Sequence, residues 1–128
     1  MKRPRPHLAP VVAALLLAGT ATLAAHLKVE KTSPAADATI TTQPQQVRVL
    51  FSQAPTLAIS SLALEGPNGK VALGKVAAGQ TDGRADHSLV ATVPDQLPPG
   101  AYTVTWRTSG PDGHIQTGTF AFTLAAGR

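Results

Sequence analysis

The chain has 128 residues, 11 Lys and Arg against 7 Asp and Glu, a formal net charge of +4 and no cysteine. Lys2, Arg3 and Arg5 fall in the first 25 residues, so the rest of the chain carries 8 basic and 7 acidic residues and is almost neutral. That balance removes the case for a nucleic-acid or anionic-membrane binder, and without disulfides the fold must rest on apolar burial.

Residues 1–25 have the layout of a secretory signal: a basic start, an apolar run from Val11 through Ala18, then small residues at Gly19, Thr20, Ala21, Thr22, Ala24 and Ala25. The run is shorter than the roughly 20 apolar residues a membrane anchor needs. No charged stop-transfer flank follows it, so a cleaved signal is expected over a retained anchor. Pro4 separates Arg3 from Arg5, so the general secretion route is expected rather than a twin-arginine one. The cut is expected after Ala25. Cleavage after Ala24 is the alternative, because Leu23 occupies the position three before the first cut, where a smaller residue is commoner. The expected organisation is a signal peptide at 1–25 and one domain at 26–128, whose 103 residues suffice for a single hydrophobic core.

Past the signal, short alternating segments are separated by Pro, Gly, Asn and Asp, with no stretch periodic and long enough for a helix. Val47, Val49 and Phe51 share one strand face around Arg48. Leu62 and Leu64 do the same before the turn Gly66-Pro67-Asn68-Gly69, and a short strand near Val71 to Leu73 would complete a hairpin. Residues 74–87 are Gly-rich and polar and read as loop, with room for an edge strand. Leu89, Ala91 and Val93 resume the alternation before Pro94. After the turn Pro98-Pro99-Gly100, Tyr102, Val104 and Trp106 face one side and Thr103 and Thr105 the other. A loop at 109–116 precedes Phe120, Phe122 and Leu124, which suit a central strand. About seven short strands with regularly spaced turns predict an all-β, immunoglobulin-like Greek-key β-sandwich. Phe51, Tyr102, Trp106, Phe120 and Phe122 are every aromatic residue of the domain and are expected mostly in the core, which leaves few rings for a carbohydrate- or base-stacking surface.

Three histidines follow the signal: His26, His87 and His114. With the cut after Ala25, His26 offers both its imidazole and its α-amine, whose reference pKa of roughly 8 lets a metal displace its proton near neutral pH. In Pro111-Asp112-Gly113-His114, a locally extended backbone would project Asp112 and His114 to one side, with Gly113 leaving the space between them clear. Asp-Gly is also a frequent turn dipeptide, and the tripeptide alone is an ordinary loop. Together, His26, Asp112 and His114 would supply three nitrogens and one carboxylate oxygen, a set that suits tetragonal Cu(II). His87 reads as an edge or loop histidine.

At this point the chain resembles the CopC (YobA-like) family of periplasmic copper-binding proteins over essentially the whole domain. The opening His26-Leu27-Lys28-Val29-Glu30-Lys31-Thr32-Ser33-Pro34-Ala35 is similar to that family's start, and Val47-Arg48-Val49-Leu50-Phe51-Ser52 to its second strand. Pro99 through Arg107, Asp112-Gly113-His114 and Gly118-Thr119-Phe120-Ala121-Phe122 resemble its C-terminal half. The resemblance implies one Cu(II) ion held by the amine and imidazole of His26 with Asp112 and His114, and an inner-membrane copper transporter of CopD type as partner. Two departures stand out. Gln53 holds a place where some members have a glutamate, so an axial carbonyl or water contact is the most it can offer. The only methionine is Met1, within the signal, so the soft ligands of a Cu(I) site are missing.

The expected function is that of a periplasmic Cu(II) carrier or buffer in copper homeostasis and resistance, monomeric and not an enzyme. There is no nucleophile with a paired base, no carboxylate pair and no phosphate loop, and Asp112 with His114 has no serine elbow to act on. The rivals are a copper oxygenase with an N-terminal histidine chelate, as in lytic polysaccharide monooxygenases, and a metal-free immunoglobulin-like interaction module.

Overall fold

The computed structural model describes residues 2–4 and 26–127. Apart from residues 2–4, the expected signal peptide lies outside the described residues. Among the described residues there are nine strands: β1 (Val29–Ser33), β2 (Thr39–Ile40), β3 (Gln46–Phe51), β4 (Ser61–Gly66), β5 (Gly69–Val71), β6 (Ala77–Thr81), β7 (Arg84–Thr92), β8 (Gly100–Ser109) and β9 (Ile115–Leu124). A single 3-10 turn at Leu57–Ile59 lies between β3 and β4. No described helix is long and apolar enough to cross a membrane.

The strands form a four-stranded sheet in the order β1-β3-β7-β6 and a five-stranded sheet in the order β2-β9-β8-β4-β5. This reproduces the A-B-E-D and G-F-C orders of the immunoglobulin sandwich, with β2 and β5 as short additions at the edges of the larger sheet. Period-2 alternation places the core between the sheets. Val47, Val49 and Phe51 on β3, Leu89 and Ala91 on β7, Leu62 and Leu64 on β4, Tyr102, Val104 and Trp106 on β8, and Phe120, Phe122 and Leu124 on β9 are all buried. All five aromatics therefore belong to the core, as their placement in the sequence implies. Trp106 meets Phe51 across the sheets edge-on, with ring centroids 5.1 Å apart, and Tyr102 stacks on Phe122 at 5.3 Å. The Tyr102 hydroxyl donates to the carbonyl of Pro98, four residues upstream, forming the tyrosine corner of this fold class at the entrance to β8. Burial raises the pKa of that hydroxyl.

Nine strands stand where about seven are expected, and the excess has two sources. β2 is a two-residue strand that pairs in parallel with the end of β9, too short to leave a periodic trace. Residues 74–87, read as loop with room for an edge strand, contain that edge strand as β6 and also the start of β7, and the two form a hairpin through Asp82 (φ 53°) and Gly83 (φ 76°). Both turn residues are left-handed, as a two-residue hairpin of the primed type requires, and Asp-Gly is a favoured sequence for it. The glycine content hides this hairpin because Gly79 occupies a β-bulge, where a Cβ would collide with the hydroxyl of Ser88. The β4–β5 hairpin turns at the expected Pro67-Asn68, with its second strand at Gly69–Val71 rather than Val71 to Leu73. β8 and β9 both run further than expected, shrinking the loop between them to residues 110–114.

One end of the sandwich collects the first residues of the domain, the exit of β3 and the β8–β9 loop. Val29 pairs with Phe51 at the end of β3, the backbone N–H of Ser52 donates to the carbonyl of Lys28 at 2.8 Å, and that of Thr56 donates to the carbonyl of Ser109 at 2.9 Å.

Candidate metal centre

Asp112 is presented by a tight turn rather than by extended chain. The N–H of Gly113 donates to the carbonyl of Gly110 at 3.0 Å, and Gly113 has φ +77°, the left-handed region that glycine enters without penalty. A Cβ at Gly113 would meet nothing within 4 Å. Conformation, and not clearance between its neighbours, is therefore what the position demands of the residue, which corrects the extended-backbone expectation. The turn also brings the N–H of His114 back onto Asp112 Oδ1 at 3.1 Å, an Asx-type closure that orients the carboxylate.

The other carboxylate oxygen, Oδ2, lies 3.1 Å from His114 Nδ1 and 3.6 Å from His26 Nδ1. The two imidazoles lie side by side across it, centroids 6.1 Å apart and 22° from parallel. One ligand-type atom from each of His26, Asp112 and His114 falls within 4.8 Å of the other two. Asp112 is the sheltered member, its side chain 14% exposed against 56% for His26 and 76% for His114. The backbone N–H of His114 holds the Asp112 carboxyl below its ordinary value, helped by the ring of His114 and the neighbouring His26, and outweighing partial desolvation. The carboxylate is thus ionised at neutral pH, and a carboxylate flanked by two imidazoles has the chemistry to hold a borderline divalent transition-metal ion.

The first residues of the domain are held in place by several contacts. Leu27 is buried against Gly110, where a Cβ would meet its Cγ at 3.0 Å. Its N–H donates to Gln116 Oε1 at 3.0 Å, and its carbonyl accepts from Gln116 Nε2 at 3.3 Å. The N–H of Lys28 donates to Ser52 Oγ at 3.0 Å. Leu27, Ser52 and Gln116 escape a sequence reading because their contacts span 24 to 89 residues and carry no local pattern. Of the other residues singled out in the sequence, Gln53 stands half-buried just past β3. His87 is exposed, but it lies on β7, an interior strand of its sheet, rather than in a loop or on an edge strand.

The class is that of an immunoglobulin-like sandwich whose first residues and last hairpin loop converge on a His-Asp-His cluster. Residues 29–125 match the family model of the CopC domain, and the chain belongs to that family. Among curated proteins it is similar to Protein YobA of Escherichia coli (strain K12), 29% identical over 100 residues, covering 78% of this chain and 79% of YobA. Among solved structures it resembles PcoC, a methionine-rich copper resistance protein from Escherichia coli, at 31% identity and a TM-score of 0.68, covering 78% of this chain and 99% of PcoC. It also resembles CopC from Methylosinus trichosporium OB3b, at 28% identity and a TM-score of 0.69, covering 80% of this chain and 97% of that one.

Proposed function

We propose that the protein is exported to the periplasm, loses residues 1–25, and binds one Cu(II) ion as a carrier or buffer in copper homeostasis and resistance. The observation that carries this reading is the approach of His26, Asp112 and His114 within 4.8 Å, from opposite ends of the domain. Cleavage after Ala25 adds the α-amine of His26, completing three nitrogens and one carboxylate oxygen, a set that favours tetragonal Cu(II) above other divalent ions. Similarity to a copper resistance protein supports copper as the cargo. That relative is described as methionine rich, whereas this chain has Met1 alone, so the thioethers a Cu(I) site needs are missing and the cupric state is the one served.

The role is carriage rather than catalysis. A carboxylate ligand favours retention of Cu(II) over redox cycling, and the buried aromatics leave no flat stacking surface for a polysaccharide. The protein works as a monomer and passes copper to or from an inner-membrane transporter of CopD type. Intact mass of the exported protein is expected to begin at His26. Copper titration followed by electron paramagnetic resonance is expected to give one tetragonal, nitrogen-rich Cu(II) per chain, lost in His114→Ala. Exported protein that starts at another residue yet binds copper equally well would overturn the reading, as would oxidised oligosaccharides released from chitin or cellulose by the copper-loaded protein.

A further inference from the structure

The first residue of a processed chain is ordinarily its least ordered one, and a ligand placed there must be fixed in space before or during binding, at a cost in conformational entropy. Here the segment carrying His26 leads into β1, an edge strand whose sheet partner is β3. Asp112 and His114, in contrast, belong to the turn that opens β9 in the other sheet. The ladder between β1 and β3 therefore leaves the distance from His26 to His114 to be set by something else.

Gln116 spans that gap. It lies two residues after His114, on β9, and uses both halves of its carboxamide on a single residue of the N-terminal segment. Oε1 accepts from the N–H of Leu27, and Nε2 donates to the carbonyl of Leu27, across 89 residues of sequence. An antiparallel strand partner satisfies a residue in the same reciprocal way, so the side chain stands in for a missing strand. The Leu27 side chain, packed on Gly110 beneath the Asp112 turn, keeps this residue from sliding along the clamp. Ser52 holds Lys28 by its N–H and carbonyl, but it anchors to the end of β3 and not to the strand that follows His114.

We propose that Gln116 is a positioning residue for the Cu(II) site: its carboxamide sets where His26 stands relative to Asp112 and His114 before the ion arrives. This inference rests on the copper reading above. Groups outside the ligand set that orient the ligands typically change metal affinity by roughly 10- to 100-fold when removed.

The test uses the domain beginning at His26, as the parent and as Gln116→Leu. Gln116→Thr, strand-compatible but too short to reach Leu27, is carried alongside in case the leucine variant fails to fold. Cu(II) affinity is measured by chelator competition, with frozen-solution electron paramagnetic resonance on the loaded proteins and thermal unfolding and amide hydrogen exchange on the metal-free ones. Loss of the clamp is expected to weaken Cu(II) binding about 10- to 100-fold. It is also expected to change the copper hyperfine pattern or split it into two species, and to speed exchange at the Leu27 amide with little change in melting temperature. Unchanged affinity and a superimposable spectrum would overturn the inference while leaving the copper reading intact. Affinity and metal-free stability falling together under an unaltered spectrum would also overturn it, since a purely structural hydrogen bond behaves that way. An unprotected Leu27 amide in the parent would overturn it without any variant. A parent that binds no Cu(II) would sink the copper reading and this inference with it.

Discussion

At the scale of single residues, the candidate centre depends on Gly113 for a reason of backbone geometry. Its φ of +77° lies where a Cβ costs about 1–2 kcal/mol, and the space around it is open. Gly113→Ala is therefore expected to lower stability by about that amount in denaturant melts. Gly113→Asn should lower it less, because a short polar side chain tolerates the left-handed region. Equal losses for the two would show that crowding and not φ governs the position. The same turn explains the state of Asp112. The His114 N–H that closes it is also what most favours the ionised carboxylate, so a substitution that opens the turn disturbs geometry and charge together.

Among the strands, the β6–β7 hairpin and Arg48 of β3 carry a polar network around Asp86. Asp86 accepts from the backbone and hydroxyl of Ser88 through one oxygen and from Thr81 and Arg48 through the other. Partial burial works to raise its pKa, yet the hydrogen bonds from Ser88 and Thr81 and the guanidinium of Arg48 outweigh it and the net shift is downward. A carboxyl with a depressed folded-state value stabilises the native state above its unfolded value. That stabilisation disappears as pH falls through the ordinary 3.8 toward the lower folded value. Asp86→Asn is thus expected to cost about 1–3 kcal/mol at neutral pH. The gap between parent and variant should close as melts are repeated at progressively lower pH below 3.8. A gap of the same size in acid as at neutrality would rule out the charge as its source. Gly79 makes the arrangement possible, since its bulge leaves room for Ser88 and Asp86 beneath the edge strand.

For the whole molecule, fold and candidate site are separable in energy. None of the three candidate ligands belongs to the hydrophobic core, which runs from Leu27 at one end of the sandwich to Val93 and Leu97. Chelator-treated protein is therefore expected to keep its β-sheet circular dichroism and a cooperative melt. Free Cu(II) at a hundred times its Kd should add about 2.7 kcal/mol by mass action, read as a higher melting temperature. Loss of the transition on chelation would mean that the ion is part of the fold.

Alternation in β3, β4, β8 and β9 made the sandwich and its aromatic core legible in the residues themselves, because a strand with one buried face writes its burial into every second position. The candidate ligands were legible too, since their donor chemistry belongs to His26, Asp112 and His114 as residue types. Of the β6–β7 hairpin, the sequence showed room for an edge strand but not the pairing around its bulge, and the two-residue β2 was hidden. Asp112-Gly113 was legible as a turn dipeptide beside the extended alternative, whereas the Gln116 clamp on Leu27 was hidden. A side chain that imitates a strand is a relation between distant parts of the chain, and it comes into being only when the two sheets close on one another and bring residues 26–28 against the last hairpin.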